Sequence, residues 1–318
     1  MNPSLIYRTL FCILFLRKMK KLFLFSLFAL LIVSFKPVYG EQLVTVKGNG
    51  VTVLFEEPLR NAAEEVINIY PGLIAELGKK LKWKLDYEPE VLLIKNRKTF
   101  QKMARSDLVV AYAVPQRKFI VIDYSRMNIS PFNLGTTLKH ELCHLLLHHH
   151  IPGGRLPKWL DEGVAQWVSD GIAEIIMDRR QSVLTRVALT GNYISINNLA
   201  EGFPQDKQAL LLAYEESKSF IEYIVGQFGS DGIIKILTNL RNGDEINSAI
   251  QKGISISLYE LEKNWHAHLS KGIIWLIYLS NNLYEILFFL AALITIFGFL
   301  KLLKRKFDYK DSDDRNSR

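Results

Sequence analysis

Cysteine is scarce in this sequence, with Cys12 and Cys143 the two in 318 residues. Cys12 falls in an apolar N-terminal leader, so a processed chain would keep Cys143 alone. That excludes an intramolecular disulfide scaffold, and an extracytoplasmic domain must then rely on its apolar core. Residues 41–271 are enough for one sizeable core. Internal repeats and low-complexity linkers are also missing. Acidic residues are absent from positions 1–40, which carry six basic ones. Residues 272–318 hold seven basic and five acidic residues, and the 27 basic and 27 acidic residues between the two ends cancel. The net charge of +8 therefore comes from the ends. Nucleic-acid binding needs a basic excess on the folded domain, and the middle of this chain has none.

The ends read as targeting and anchoring segments. Met19-Lys20-Lys21 is a charged start, Leu22 to Phe35 an apolar stretch, and Val38-Tyr39-Gly40 a small-residue cleavage site. Residues 1–40 are thus a leader and signal peptide, with Met19 as the true start; an uncleaved N-terminal anchor is the alternative. Near the other end, Leu283 to about Leu303 is long enough to cross a bilayer, which takes about 20 residues. Lys301, Lys304, Arg305 and Lys306 follow. Such a basic cluster stays cytoplasmic. The expected layout is a domain at 41–271, a transmembrane segment at 272–303 and a cytoplasmic tail at 304–318. The protein would be a single-pass protein of the cell membrane, with its domain in the periplasm or the cell exterior.

Five of the seven histidines lie between His140 and His150. His140-Glu141-Leu142-Cys143-His144 reads H-E-x-x-H within a run of helical character. Residues four apart on a helix share a face, with Cβ atoms about 5–6 Å apart. Two imidazoles so placed can share a tetrahedral zinc, and Glu141 beside them can polarise a zinc-bound water. Ser130-Pro131 reads as the helix start and Pro152-Gly153-Gly154 as its stop. Cys143, between the histidines, reads as a small buried apolar residue.

A catalytic zinc takes three protein ligands and one water. Pro157-Lys158-Trp159-Leu160-Asp161-Glu162-Gly163-Val164-Ala165 opens a second helix, and Glu162 on its first or second turn is the expected third ligand. Gly163 would let this helix approach the histidine helix closely. His148 is the rival ligand, one turn beyond His144. Three donors in a straight row do not readily wrap a tetrahedral ion, so His148, His149 and His150 read better as a helix-end cluster, which suits the helix dipole.

H-E-x-x-H followed by P-x-W-L-x-E-G-x-A resembles the gluzincin metallopeptidases, and more narrowly the bacterial peptidase-MA-like domain. Ala213-Tyr214-Glu215-Glu216-Ser217-Lys218-Ser219-Phe220 is similar to that family's A-Y-x-x-S-x-S-F pattern, and the likeness runs from about residue 45 to 271, with Trp265 near its end. The resemblance implies one zinc per chain on His140, His144 and Glu162, with Glu141 as general base. It also implies Tyr214 as oxyanion stabiliser, for which an ordinary core aromatic is the alternative. Ser217 would share the face of Tyr214. Some gluzincins place an aspartate four residues after the glutamate ligand to orient a zinc-bound histidine. Here that position is Gln166, which can accept from an imidazole N–H but without charge.

Val51 to Phe55 reads as a strand. Leu59 to Leu81 reads as a helix with a kink or break at Pro71-Gly72. Lys84 to Ile94 reads as a strand or two. Leu108 to Val114 and Lys118 to Asp123 form a hairpin turning at Pro115-Gln116. Gluzincins pair an extended substrate with an edge strand here; which strand is the edge stays open. Helices dominate thereafter. Strands first and helices later is an α+β pattern. The expected fold is a zincin-like domain with N-terminal strands, an active-site helix and a mainly helical C-terminal part, plus one C-terminal transmembrane helix. The expected function is hydrolysis of a peptide or protein substrate. A catalytically silent zinc module that binds an envelope partner is the alternative. Oligomeric state is not legible.

Overall fold

A computed structural model describes residues 43–127, 129–170 and 182–316. The expected leader and signal peptide lie outside these residues. Residues 45–318 form one compact unit, and the other, 1–44, is almost wholly undescribed.

The architecture is mixed α/β. The strands are β1 (Leu43–Gly48), β2 (Val51–Glu56), β3 (Glu90–Ile94), β4 (Ala111–Val114) and β5 (Phe119–Asp123). They form one sheet in the order β1-β2-β3-β5-β4. Strands β2, β3 and β5 run parallel, with Val53 beside Val91 and Val91 beside Ile120, and β4 is antiparallel to β5. Val91–Ile94 and Ile120–Asp123 are buried throughout, as expected of central strands covered on both faces. Parallel strands need crossovers. Helix α1 (Arg60–Leu81) supplies the one from β2 to β3, and α2 (Arg97–Ala104) lies between β3 and the hairpin. Phe100 of α2 packs with Leu92, Ile94 and Val121 on one face. Strand side chains alternate, so Val91, Leu93, Ile120 and Ile122 face the other side.

On that other side lies α3 (Leu134–His150), packed on α1, β4 and β5. It starts three residues after the expected proline. Asn133, in an extended conformation, takes the Thr136 N–H at 2.8 Å and is the true cap. Residues 137–147 are all buried. Helix α1, in turn, is continuous across Pro71. A proline leaves the carbonyl four residues back without its helical donor. Here that carbonyl belongs to Ile67, and it accepts from Asn49 Nδ2 at 3.0 Å.

The remaining helices are α4 (Lys158–Ser169), α5 (Val183–Thr190), α6 (Asn198–Glu201), α7 (Lys207–Arg241), α8 (Ile246–Ile254), α9 (Leu258–Asn281) and α10 (Leu283–Asn316). Helix α7 breaks at Gly229, whose φ of 71° favours glycine. Trp159 of α4, Phe220 of α7 and Trp265 of α9 pack in series, edge-on and tilted, at 5.2 and 5.1 Å between centroids. This aromatic spine ties three helices together. Helix α9 runs from Leu258 to Asn281, past the expected domain end at residue 271. Within α10, Leu283–Leu302 is long and apolar enough to cross a membrane. Its Phe288, Ile294 and Phe297 are more than 70% exposed.

Three carboxylates hold the segment around α5 onto α7 and α9. Glu215 accepts from the Val183 and Leu184 N–H groups, Glu216 from Ile194 N–H, and Glu262 from Ile196 N–H. Glu216 is fully buried. Burial, together with the charges of Glu262 and Glu215, pushes its carboxyl up to about 8, against the pull of the Ile194 bond. The unfolded chain loses this proton near 4.5, so the folded state binds more protons between the two values. Stability attributable to this group is full below about pH 4.5 and is lost as pH rises through about 8. Glu216→Gln should therefore raise the urea midpoint relative to wild type at pH 8.5, and raise it less or not at all at pH 5. Equal midpoint shifts at both pH values would count against the assignment.

Candidate metal centre

Helix α3 stacks His140 and His144 one turn apart, with their Nε2 atoms 3.1 Å from each other. Helix α4 brings Glu162 against them, its Oε2 3.6 Å from each of these two nitrogens. The three side chains are 2%, 6% and 1% exposed. Zinc–nitrogen and zinc–oxygen bonds of about 2.0–2.2 Å imply tetrahedral edges of about 3.3–3.6 Å. Two edges of the donor triangle, at 3.6 Å, match an ion of that size, and the third, at 3.1 Å, falls just short of it. Among the described residues it is the one His, Cys, Asp or Glu group with this clustering.

His148 does not join it. Its Nε2 lies 3.0 Å from Asp161 Oδ2, while Asp161 Oδ1 takes His144 Nδ1 at 2.6 Å. A carboxylate on Nδ1–H fixes the tautomer that leaves Nε2 free to donate to a metal. Burial alone would raise the Asp161 carboxyl, but His144, His148 and Lys158 outweigh it and hold it well below the usual carboxylate range. His149 reaches Asp86 at 2.9 Å and His150 reaches the Lys84 carbonyl at 2.8 Å. The helix-end cluster thus fastens α3 to the segment before β3.

Two expectations about positioning need correction. Gln166 does not orient a histidine; its Nε2 donates to the Tyr214 carbonyl at 3.1 Å, tying α4 to α7. Asp161, one residue before the proposed ligand rather than four after it, fills that role. A signal existed in Trp-Leu-Asp-Glu-Gly-Val-Ala, where a charge interrupts positions that are otherwise buried. Gly163 permits a close approach, but to α7 and not to α3. A Cβ there would sit 2.5 Å from the Ser217 carbonyl oxygen and 2.6 Å from Ile221 Cγ1. Ser217 is fully buried, and its Oγ donates to the Ala213 carbonyl at 2.7 Å. It serves the helix contact and neither the site nor the surface.

Glu141, the residue after His140 on α3, is completely buried. Cys143 is buried as expected, and that burial pushes its thiol well above the usual range. Tyr214 packs edge-on against Phe203 at 4.9 Å, with Leu108, Val109, Leu210 and Leu211 around it. It also borders the cavity at the triad, so it is both a core aromatic and a wall of the site. That cavity, about 220 Å³, is lined by His144, His148, Lys158, Asp161, Glu162 and Tyr214 on one side. Tyr112, Ala113, Pro115 and Gln116 line the other. Tyr112 and Ala113 belong to β4, which ends the sheet. The edge strand left open by the sequence is therefore β4, and it faces the donors across the cavity.

A sequence model of the Peptidase MA superfamily matches residues 106–271, just over half the chain. The chain belongs to this superfamily. Its members are typically zinc-dependent, and some are not catalytic. The match begins after α2, so β1 to β3 precede it, whereas the likeness in sequence had been drawn from about residue 45. No curated protein matches the chain.

The Asp161 bridge makes a test. Asp161→Asn keeps the shape but removes the charge that holds His144, and such partners typically contribute about 10–100-fold to metal affinity. Zinc titration against a chromophoric chelator should show a loss in that range. An unchanged affinity would mean that His144 is held by packing alone.

Proposed function

We propose that this chain is a membrane-anchored zinc metallopeptidase of gluzincin type, with a zincin-like domain over residues 41–271. The observation that carries the reading is the convergence of His140, His144 and Glu162 on one point, with Glu141 buried on the same helix as the two histidines and a cavity bordered by an edge strand. A structural zinc site closes all four positions with protein, whereas three protein donors are the mark of a catalytic one. His140 and His144 would donate through Nε2 and Glu162 through Oε2. When bound, zinc lowers the pKa of water towards about 7 and polarises the scissile carbonyl.

The chain's own groups account for the rest. Glu141 accepts the proton of the attacking water and delivers it to the leaving amine. The Tyr214 hydroxyl donates to the developing oxyanion, since tyrosine is a suitable second donor there. An extended peptide adds to β4 through main-chain hydrogen bonds, which align it across the donors without regard to its sequence. Asp161 holds His144 in the tautomer that ligation needs.

Anchoring follows from α10. Segment 272–303 forms the membrane region, with Leu283–Leu302 crossing, and the basic cluster after it keeps residues 304–318 in the cytoplasm. Residues 1–40 direct export, so the domain works in the periplasm or at the cell exterior.

The test compares wild type with Glu141→Gln as full chains in detergent. Both should bind one zinc, and chelator-sensitive peptide cleavage should fall by more than about 100-fold in the mutant, the lower range for a general base. Zinc in both without cleavage of a broad peptide library would favour a catalytically silent member that binds an envelope partner. Cleavage retained by the zinc-loaded mutant would sink the mechanism.

A further inference from the structure

Glu162 presents its two oxygens to different partners. Oε2 lies 3.6 Å from both histidine Nε2 atoms, whereas Oε1 accepts from Lys158 Nζ at 2.5 Å. Lys158 stands four residues earlier on the same helix, and its side chain is 41% exposed against 1% for Glu162. Burial therefore does not force this pairing on the lysine, which has solvent within reach.

Local helix physics does not favour it either. Lys158 is the first residue of α4, following the Pro157 cap. A positive charge at a helix N-terminus opposes the dipole. Lysine before glutamate is also the weaker order for a pair four residues apart. An acidic or polar residue would serve the helix better at this position. The cost is offset only if the ammonium does something for Glu162.

A carboxylate can bind a metal through one oxygen or both. With both engaged, Glu162 would occupy two positions and leave less room for water and substrate. Resting on the reading of Glu162 as a metal ligand, we propose that Lys158 is a positioning residue that holds Oε1 and so makes Glu162 a one-oxygen ligand through Oε2. It thereby keeps the centre four-coordinate. Metal-ligating carboxylates are commonly hydrogen-bonded by an outer partner of this kind. The sequence pattern marks the position only as the variable residue in P-x-W-L-x-E-G.

The experiment uses full-length apoprotein in detergent: wild type, Lys158→Met, Lys158→Arg and Glu162→Gln. Zinc affinity is read by chelator competition, and coordination number by the visible bands of the cobalt(II) form, which are intense for four-coordinate and weak for six-coordinate ions. Lys158→Met should weaken zinc binding about 10–100-fold and weaken the cobalt bands as Glu162 becomes a two-oxygen ligand. Lys158→Arg, which keeps a charged donor, should restore both. If wild type binds zinc while Lys158→Met matches it in affinity and spectrum, or binds more tightly, the lysine is a bystander or a mere competitor and the proposal falls. If neither wild type nor Glu162→Gln binds zinc, the metal-site reading itself fails, and the proposal with it.

Discussion

Burying ionisable groups is the constraint on which this structure turns. His140, Glu141, His144, Asp161 and Glu162 are all buried inside helices. A buried charge without a partner is costly enough that the group would sooner neutralise. The cost is manageable here because each partner is supplied from a defined element. Asp161 is met by two imidazoles from α3, and Glu162 by Lys158 on its own helix. These contacts exist only if α3 and α4 keep their separation and rotation. The rest of the domain can be understood as what enforces that relation.

Helix α4 is fixed from three directions. Asp161 bonds it to α3. Gly163 brings its backbone against α7, and any larger residue would meet a carbonyl. Lys80 of α1 reaches the Trp167 and Val168 carbonyls at 3.2 and 3.3 Å, capping its far end. The spine of Trp159, Phe220 and Trp265 continues the attachment to α9, where Trp265 Nε1 donates to Ser219 Oγ at 3.1 Å. The A-Y-x-x-S-x-S-F pattern thus marks architecture for the most part. Ser217 and Phe220 seat α4, Ser219 holds Trp265 of α9, and Tyr214 alone of the set reaches the cavity wall.

What the sequence disclosed was what depends on neighbours along the chain. The histidine pair, the second-turn glutamate and the hairpin before α3 follow from periodicity, spacing and turn residues, and each stands where it was expected. Strand β1 and helix α2 were not foreseen, because β1 lacks a fully buried face and α2 is short. The interleaving of α1 and α2 with parallel strands was also hidden, since a run of short apolar segments does not state its pairing. Helix α3 starts later than expected because Asn133, rather than Ser130, accepts from its first turn. Gly163 and Gln166 were assigned to the wrong neighbour. Their spacing was right for contact, but which helix lies opposite is a tertiary fact.

Charge at the centre gives the last step. Glu141, Asp161 and Glu162 contribute three carboxylates, and Lys158 one ammonium. With neutral imidazoles the cluster is doubly negative, and a divalent cation brings it to zero. In the proposed reaction a neutral centre would suit an uncharged peptide bond, because neither its approach nor proton transfer from water to Glu141 would change the total. Replacing Lys158 by an apolar residue would leave the loaded centre negative, and replacing Asp161 by an amide would leave it positive. The pair therefore has a joint role that neither spacing rule nor motif expresses. Lys158 contacts one oxygen of Glu162 and Asp161 contacts the ring of His144, and in the proposed centre the two would balance each other's charge where imbalance is expensive.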